Sequence, residues 1–264
     1  MSVNQKAPGR RSTLTLSPQP TFRIGTAGWT IPRPNALDLA GPGSHLERFS
    51  RNFACAEINT TFYRPHRLAT WQRWTTSVPD TFRFAVKAPK TITHEAALAI
   101  TPETLAQLTL FLEQARQLGP KLGPILFQLP PKQAFDPARA DAFFEQLRRL
   151  HTGPLVLEPR HATWFTAEAE DLLRAHNIAR AAADPAPVPA AASPAGGPNL
   201  VYYRLHGSPR TYYSSYSDEF LHALAINLAQ LPNTTEAWVI FDNTASGAAL
   251  GNALTLERLL RQPA

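Results

Sequence analysis

The chain has 264 residues, 44% hydrophobic and 17% charged, a composition that excludes intrinsic disorder and suits one large α/β barrel domain or two small domains. Its one cysteine, Cys55, excludes an intrachain disulfide and any multi-cysteine metal site. Lys and Arg exceed Asp and Glu by 26 to 20, but Lys6, Arg10 and Arg11 stand in an acid-free first 20 residues, so only +3 of the net +6 falls on the remainder, which permits an anionic partner without requiring one.

Residues 1–20 lack the apolar run of a secretion signal and read as a flexible basic tail ahead of one domain, 21–264. No stretch approaches the roughly 20 apolar residues that span a bilayer, so the expected location is cytoplasmic, with no membrane partner. Strands are predicted at 22–26, 54–59, 82–87, 124–128, 155–158, 178–183, 200–206 and 237–242 from β-branched and aromatic runs. Helices alternate with them. Short ones are expected at 44–53, 69–77 and 167–176. Thr101-Pro102 and Asp136-Pro137 each pair a capping side chain with a proline at the first helical position, ahead of apolar stripes through Leu108 and Leu112 and through Phe143 and Leu147. Ser217 and Ser246 are candidate caps for the last two helices.

Strand–helix alternation implies a parallel sheet, since parallel neighbours need crossover connections. Eight such units predict a (β/α)8 TIM-barrel-like fold. An open doubly wound sheet is the alternative, but Gly25-Thr26-Ala27-Gly28 lacks the third glycine of a dinucleotide fingerprint. Residues 184–199 hold five prolines and are expected as a loop replacing the sixth helix.

Barrel strands should be apolar on both faces. Here several turn polar at their last positions, and strand alternation puts the polar members on one face. Glu57, Lys87, Glu158, Arg204 and His206 then point inward at the carboxyl ends, where barrel enzymes place their chemistry, with Gln128, Asp184, Asp242 and Asn243 ending the other strands. Ionisable groups gathered in a cleft acquire the shifted pKa values that acid–base work needs, although an internal salt-bridge network would carry the same signature.

The same residues carry a family resemblance. Gly25–Trp29, the run Glu57-Ile58-Asn59-Thr60-Thr61-Phe62-Tyr63-Arg64, Phe84-Ala85-Val86-Lys87 with Ile92-Thr93-His94, and Gln128-Leu129-Pro130-Pro131 form its first half. Glu158-Pro159-Arg160-His161 with Trp164-Phe165, Tyr203-Arg204-Leu205-His206-Gly207, and Phe241-Asp242-Asn243 with Asn252-Ala253 form its second. Over nearly the whole chain the pattern resembles the YecE-like family, a domain of unknown function (number seventy-two). The resemblance implies a TIM-barrel-like fold and no particular reaction. Ala27, Thr30 and Asp242 depart from the family's usual residues, and the extra carboxylate at Asp242 alters the charge at the strand ends.

Glu57, Glu158 and His206 are the acid–base candidates, and His94, in the loop after the third strand, can move protons near neutral pH. Lys87, Arg160 and Arg204 are read as anion holders, because Arg grips carboxylate or phosphate in bidentate fashion. Lys87 is a Schiff-base nucleophile only if burial lowers its pKa, and a Glu57 partner on the next strand would keep it protonated. Asn59, Tyr63, Arg64, Gln128, His161, Asp242 and Asn243 complete the expected binding face, with Trp29 and Trp164 as stacking surfaces. Gly207–Arg210 and Thr244–Gly247 lie where barrels often hold phosphate. No resident cofactor or metal is predicted. A mixed carboxylate–histidine set suits a divalent ion, but HExxH and paired-His spacing are lacking.

Three functions compete at this stage. The first is a barrel enzyme using acid–base chemistry on a small anionic, phosphorylated or carboxylated substrate. The second is a nucleic-acid-processing barrel similar in plan to endonuclease IV, and the third a non-catalytic small-ligand binder. The residues do not fix an oligomeric state.

Overall fold

The computed structural model describes residues 20–197 and 199–261, so the predicted basic tail lies, except for Pro20, outside the described residues. Its strands are β1 (Thr21–Thr26), β2 (Cys55–Ile58), β3 (Arg83–Lys87), β4 (Leu122–Gln128), β5 (Leu155–Glu158), β6 (Ala179–Arg180), β7 (Ala182–Asp184), β8 (Ala195–Gly196), β9 (Leu200–Leu205) and β10 (Glu236–Phe241). The helices are α1 (His45–Phe49), α2 (Leu68–Thr76), α3 (Pro102–Ala115), α4 (Pro137–Leu150), α5 (Ala167–Ala175), α6 (Asp218–Ala229) and α7 (Ala248–Arg261).

The helix starts follow local chemistry. Thr101, Asp136 and Ser217 each accept a backbone N–H of the first turn, as their sequence context predicts. Ser44 and Glu47 form a reciprocal capping box at α1. Ser246 behaves differently from expectation: its hydroxyl donates to the Tyr213 carbonyl at 2.6 Å and ties two loops together. Among its described residues the proline-rich stretch forms no α-helix. It holds a 3-10 turn, Pro189–Ala192, and then β8, which returns antiparallel to β6.

Two sheets result, in the orders β1-β10-β9-β7 and β2-β3-β4-β5-β6-β8, and every pair except β6–β8 is parallel. They abut in two places. Ala27 bridges to Glu57, and the Gly28 N–H donates to the Glu57 carbonyl at 2.8 Å. On the other side, residues 179–184 pair with β5 at their start and with β9 at their end, and the Ala181 N–H reaches the Leu157 carbonyl at 2.9 Å. Apolar side chains fill two layers. Ile24, Ile58, Phe84, Phe127, Leu157 and Val239 pack against the helices. Cys55, Ala85, Leu126, Val156, Tyr202, Trp238 and Ile240 pack against one another on the opposite, inner face. Along a strand the pleat alternates these layers, so the next inner position beyond Cys55, Ala85, Leu126, Val156, Tyr202 and Ile240 falls on Glu57, Lys87, Gln128, Glu158, Arg204 and Asp242.

Candidate active site at the carboxyl ends of the strands

Those inner positions converge. Arg204 is fully buried and bound by three carboxylates: Nε and Nη2 meet the two oxygens of Glu57 at 3.0 and 2.6 Å, Nη1 meets Glu158 at 2.7 Å, and Nη2 meets Asp242 at 3.0 Å. Tyr202, one inner position earlier on β9, donates its hydroxyl to Glu57 at 2.8 Å. Gln128 donates to the Glu158 oxygen that Arg204 holds, at 3.0 Å. Arg160 donates to the other Glu158 oxygen from Nε at 2.9 Å.

His206 completes the cluster. Its Nδ1 lies 3.0 Å from Asp242 Oδ2, and a carboxylate can only accept there, so Nδ1 carries a proton. Its Nε2 lies 2.9 Å from Glu158 Oε1 and 2.9 Å from Arg160 Nη2. A neutral ring accepts from Arg160, and a protonated ring donates to Glu158. Both forms have a partner in place.

The electrostatics follow from burial set against these pairings. Burial alone would raise Glu158, but Arg204, Arg160 and His206 outweigh it and hold this carboxyl well below the usual range. Asp242 is likewise lowered, burial being overcome by Arg204 and His206. Arg204 is pushed further up, because Glu57, Glu158 and Asp242 outweigh its desolvation. Lys87 goes the other way: burial, aided by Arg204, lowers it to about 8 against the weaker pull of Glu158, Glu57 and Asp242. Burial and then the Lys87 and Arg160 charges lower His94, leaving it neutral at pH 7.

Several expectations change here. The Glu57–Lys87 pair, one of the alternatives for these residues, is absent, and Arg204 and Tyr202 bind the Glu57 carboxylate instead. Lys87 instead rests its ammonium over the Phe62 ring at 4.2 Å. Arg204 is not an anion holder, because its donors are spent on carboxylates and no surface is left. Glu57 and Glu158, read as acid–base groups, hold the guanidinium of Arg204 in place.

Trp164 is buried in the core with its Nε1 donated to the Gln133 carbonyl, and Trp29 packs edge-on to Trp74 and Phe84 on the helix side of the sheet. Neither presents a stacking face at the cluster. His161 caps the turn Ala162–Trp164 through its Nδ1. Tyr63 and Arg64 line a separate hollow of about 220 Å³ between the loop after β2 and α3. Thr244 and Gly247 line another, of about 230 Å³, beside Thr26 and Thr30. Asn243 donates to Ser214 and Asn252, each at 2.9 Å, and so braces the loop over His206, while Asn59 keeps a buried amide oxygen without a partner.

Two further residues contribute to the cluster. Tyr202 was legible as an inner position two residues before Arg204, but nothing local marks it as the partner of Glu57. Tyr212 sets its ring edge-on to His206 at 5.9 Å from a loop with positive φ, which no motif announces. Among the described residues no group of three or more His, Cys, Asp and Glu side chains is arranged to hold a metal ion, because the guanidinium of Arg204 stands where the carboxylates meet.

Comparison with known proteins places this geometry in a family. The UPF0759 protein YecE of Escherichia coli strain K12 is 32% identical over 150 residues, 56% of this chain and 52% of that protein, so the matched stretch spans about half the relative's length. The UPF0759 protein YunF of Bacillus subtilis strain 168 is 22% identical over 268 residues, covering 90% of this chain and 94% of that one. Two solved structures share the fold. A DUF72 family protein from Enterococcus faecalis V583 superposes with a TM-score of 0.76 at 21% identity, covering 92% of this chain and 97% of that one. One from Thermotoga maritima MSB8 gives 0.69 at 24% identity, covering 92% and 100%. The model of the family described as "Protein of unknown function DUF72" matches residues 23–264, and the chain belongs to that family.

Proposed function

We propose that the two sheets close into a single TIM-barrel-like (β/α)8 domain over residues 21–264, and that its mouth is an active site for acid–base chemistry on a small anionic substrate. The two seams, at Ala27–Glu57 and along residues 179–184, support closure. A single observation carries the functional reading. Two cations at the mouth keep unused donors: among the described residues, Lys87 Nζ has no hydrogen-bond or ion-pair partner, and Arg160 uses Nε and Nη2 but not Nη1.

Charge balance points to proton transfer. Three carboxylates, paired with Arg204 and Arg160, are balanced in charge by those two guanidiniums and the ammonium of Lys87. A bound anion adds one negative charge, and the fraction of Lys87 that is neutral, its pKa being lowered to about 8, can take a compensating proton. Arg160, drawn towards the anion, leaves Nε2 of His206, and Asp242 holds the ring in orientation. A cytoplasmic location fits the lone buried thiol of Cys55.

Sulfate, which does not titrate near neutral pH, is the probe. Titration calorimetry in two buffers of different ionisation enthalpy is expected to show binding with uptake of a fraction of a proton. Arg160→Gln is expected to weaken that binding about tenfold or more, the scale of a charge-assisted hydrogen bond. Sulfate affinity indifferent to Arg160→Gln, or binding without proton uptake, refutes the reading.

A further inference from the structure

We infer that Lys87 is a nucleophilic amine that condenses with the carbonyl group of a small oxo acid whose carboxylate is held by Arg160. This rests on the reading of the mouth as an anion site, and it names the substrate class and the reacting atom.

Lys121 is as buried as Lys87, at 6% against 9% exposed. Its ammonium is fully served, by the carbonyls of Thr75 at 2.8 Å and Val78 at 2.7 Å and by Asp80 at 3.3 Å. That is how a structural lysine is kept under the surface, since a buried charge without partners is costly. Lys87 has none of this. Its ammonium meets an aromatic face, and the charge that acts on it most is the guanidinium of Arg204, already surrounded by carboxylates. The backbone beneath it is firmly set: the Thr61 hydroxyl donates to the Lys87 carbonyl at 2.6 Å, and the Ala88 N–H reaches Leu126 at 2.8 Å. The strand therefore fixes where the amine stands, while no hydrogen-bond acceptor or carboxylate holds its proton, only the Phe62 ring face. Of the charged groups around it, Arg204 disfavours the ammonium, and Glu158, Glu57 and Asp242 favour it less strongly than burial opposes it.

The chemistry balances with groups already present. The lone pair of neutral Nζ attacks the carbonyl carbon. A C–N bond forms as the C–O π pair moves to oxygen, which takes a proton. The nitrogen gives up one proton to leave a neutral carbinolamine. The hydroxyl then takes a second proton, the nitrogen lone pair forms the C=N bond as the C–O bond breaks and water leaves, and the nitrogen gives up its last proton. Amine and carbonyl become imine and water with no net change in protons or electrons. His94, neutral at pH 7 and close enough to feel the charge of Lys87, is the local carrier for these transfers. Nη1 of Arg160 remains for the carboxylate.

Glyoxylate with sodium cyanoborohydride tests this on the unaltered full chain. The borohydride supplies the hydride that fixes an imine as a stable carboxymethyl amine, located by peptide mapping. Among the lysines the adduct is expected at Lys87, and peptide mapping separates it from any adduct on the α-amino group, whose ordinary pKa is also near 8. At pH 7.5 the Lys87 adduct should form about 100-fold faster than at the exposed Lys90 and Lys132, in proportion to the neutral amine available. Its rate should rise with pH to a midpoint near 8, and sulfate should suppress it. Labelling of Lys87 no faster than of Lys90 and Lys132 overturns the inference. If sulfate still binds through Arg160 in that case, the anion site stands and only the amine chemistry is lost. If sulfate neither binds nor protects, the anion reading falls as well.

Discussion

A guanidinium sealed from water must find its solvation in protein groups, and Arg204 finds it in Glu57, Glu158 and Asp242. Breaking such a set by removing one partner strands a buried charge, at a typical cost of about 3–5 kcal/mol. Lys87 carries the opposite sign of linkage. It titrates near 10.5 as a free side chain and near 8 in the fold. Below pH 8 both states are protonated and the folded state bears the whole burial penalty. Between 8 and 10.5 the unfolded chain binds more protons, so stability rises with pH; above 10.5 the penalty is gone. Lys87→Met is therefore expected to be more stable than the parent at pH 7, by roughly 1–3 kcal/mol. The gap should shrink as pH passes from 8 towards 10.5. Urea denaturation at both ends of that range measures it, and a variant that is less stable at pH 7, or a gap that ignores pH, contradicts the assignment.

At the scale of elements, the seam between β1 and β2 depends on one small residue. A Cβ on Gly25 would sit 2.1 Å from the Cys55 carbonyl oxygen, and backbone cannot yield as a flexible side chain would. Gly25→Ala is expected to force β1 away from β2 and to cost about 3 kcal/mol, a fall of roughly 6–12 °C in Tm for a domain of this size. Gly251→Ala is the matched control. It lies in α7, where a Cβ meets only Asn35 Nδ2 at 3.9 Å, so a gain of up to about 1 kcal/mol is expected from helix propensity. Thermal melts of the pair decide the point, and equal effects would show that the close approach at Gly25 does not matter. Elements were also the most legible level of the sequence. Thr101-Pro102 and Asp136-Pro137 act within one turn of themselves, so the starts of α3 and α4 needed no tertiary information. Ser246 read equally well as a cap, but the Tyr213 carbonyl claims its hydroxyl, and only the packed loops bring that carbonyl near.

For the molecule as a whole, the proposed closure makes a kinetic claim. In a closed cylinder no strand has a free edge, so seam amides open only with the body of the fold. The Gly28 and Ala181 N–H groups, bonded to Glu57 and Leu157, should then exchange with deuterium as slowly as central amides of β4 and β10. Exchange at loop-like rates at either position would mean an open pair of sheets. Such closure would also account for where burial concentrates. A sheet wrapped on itself has an inside, and side chains there have nowhere to go except towards one another. On that proposal Glu57 meets Tyr202 and Arg204 across the inside of the fold, although 145 and 147 positions separate it from them along the chain.

The pleat is a local property with a period of two, so the sequence alone determined which side chains share a face: Glu57 with Cys55, Lys87 with Ala85, Arg204 with Tyr202 and His206. From this it also determined that ionisable groups gather at the carboxyl ends, and residues spread along the chain marked the family. Which charge meets which carboxylate was decided by tertiary structure, because it depends on distances across the fold that no spacing along the chain encodes. The same holds for Trp164 and Trp29, whose indoles pair as readily with a core as with a ligand until neighbouring elements enclose them. It holds most of all for Lys87, whose missing partner is a fact about the space around it: the carboxylate on the next strand was taken by an arginine from the far side.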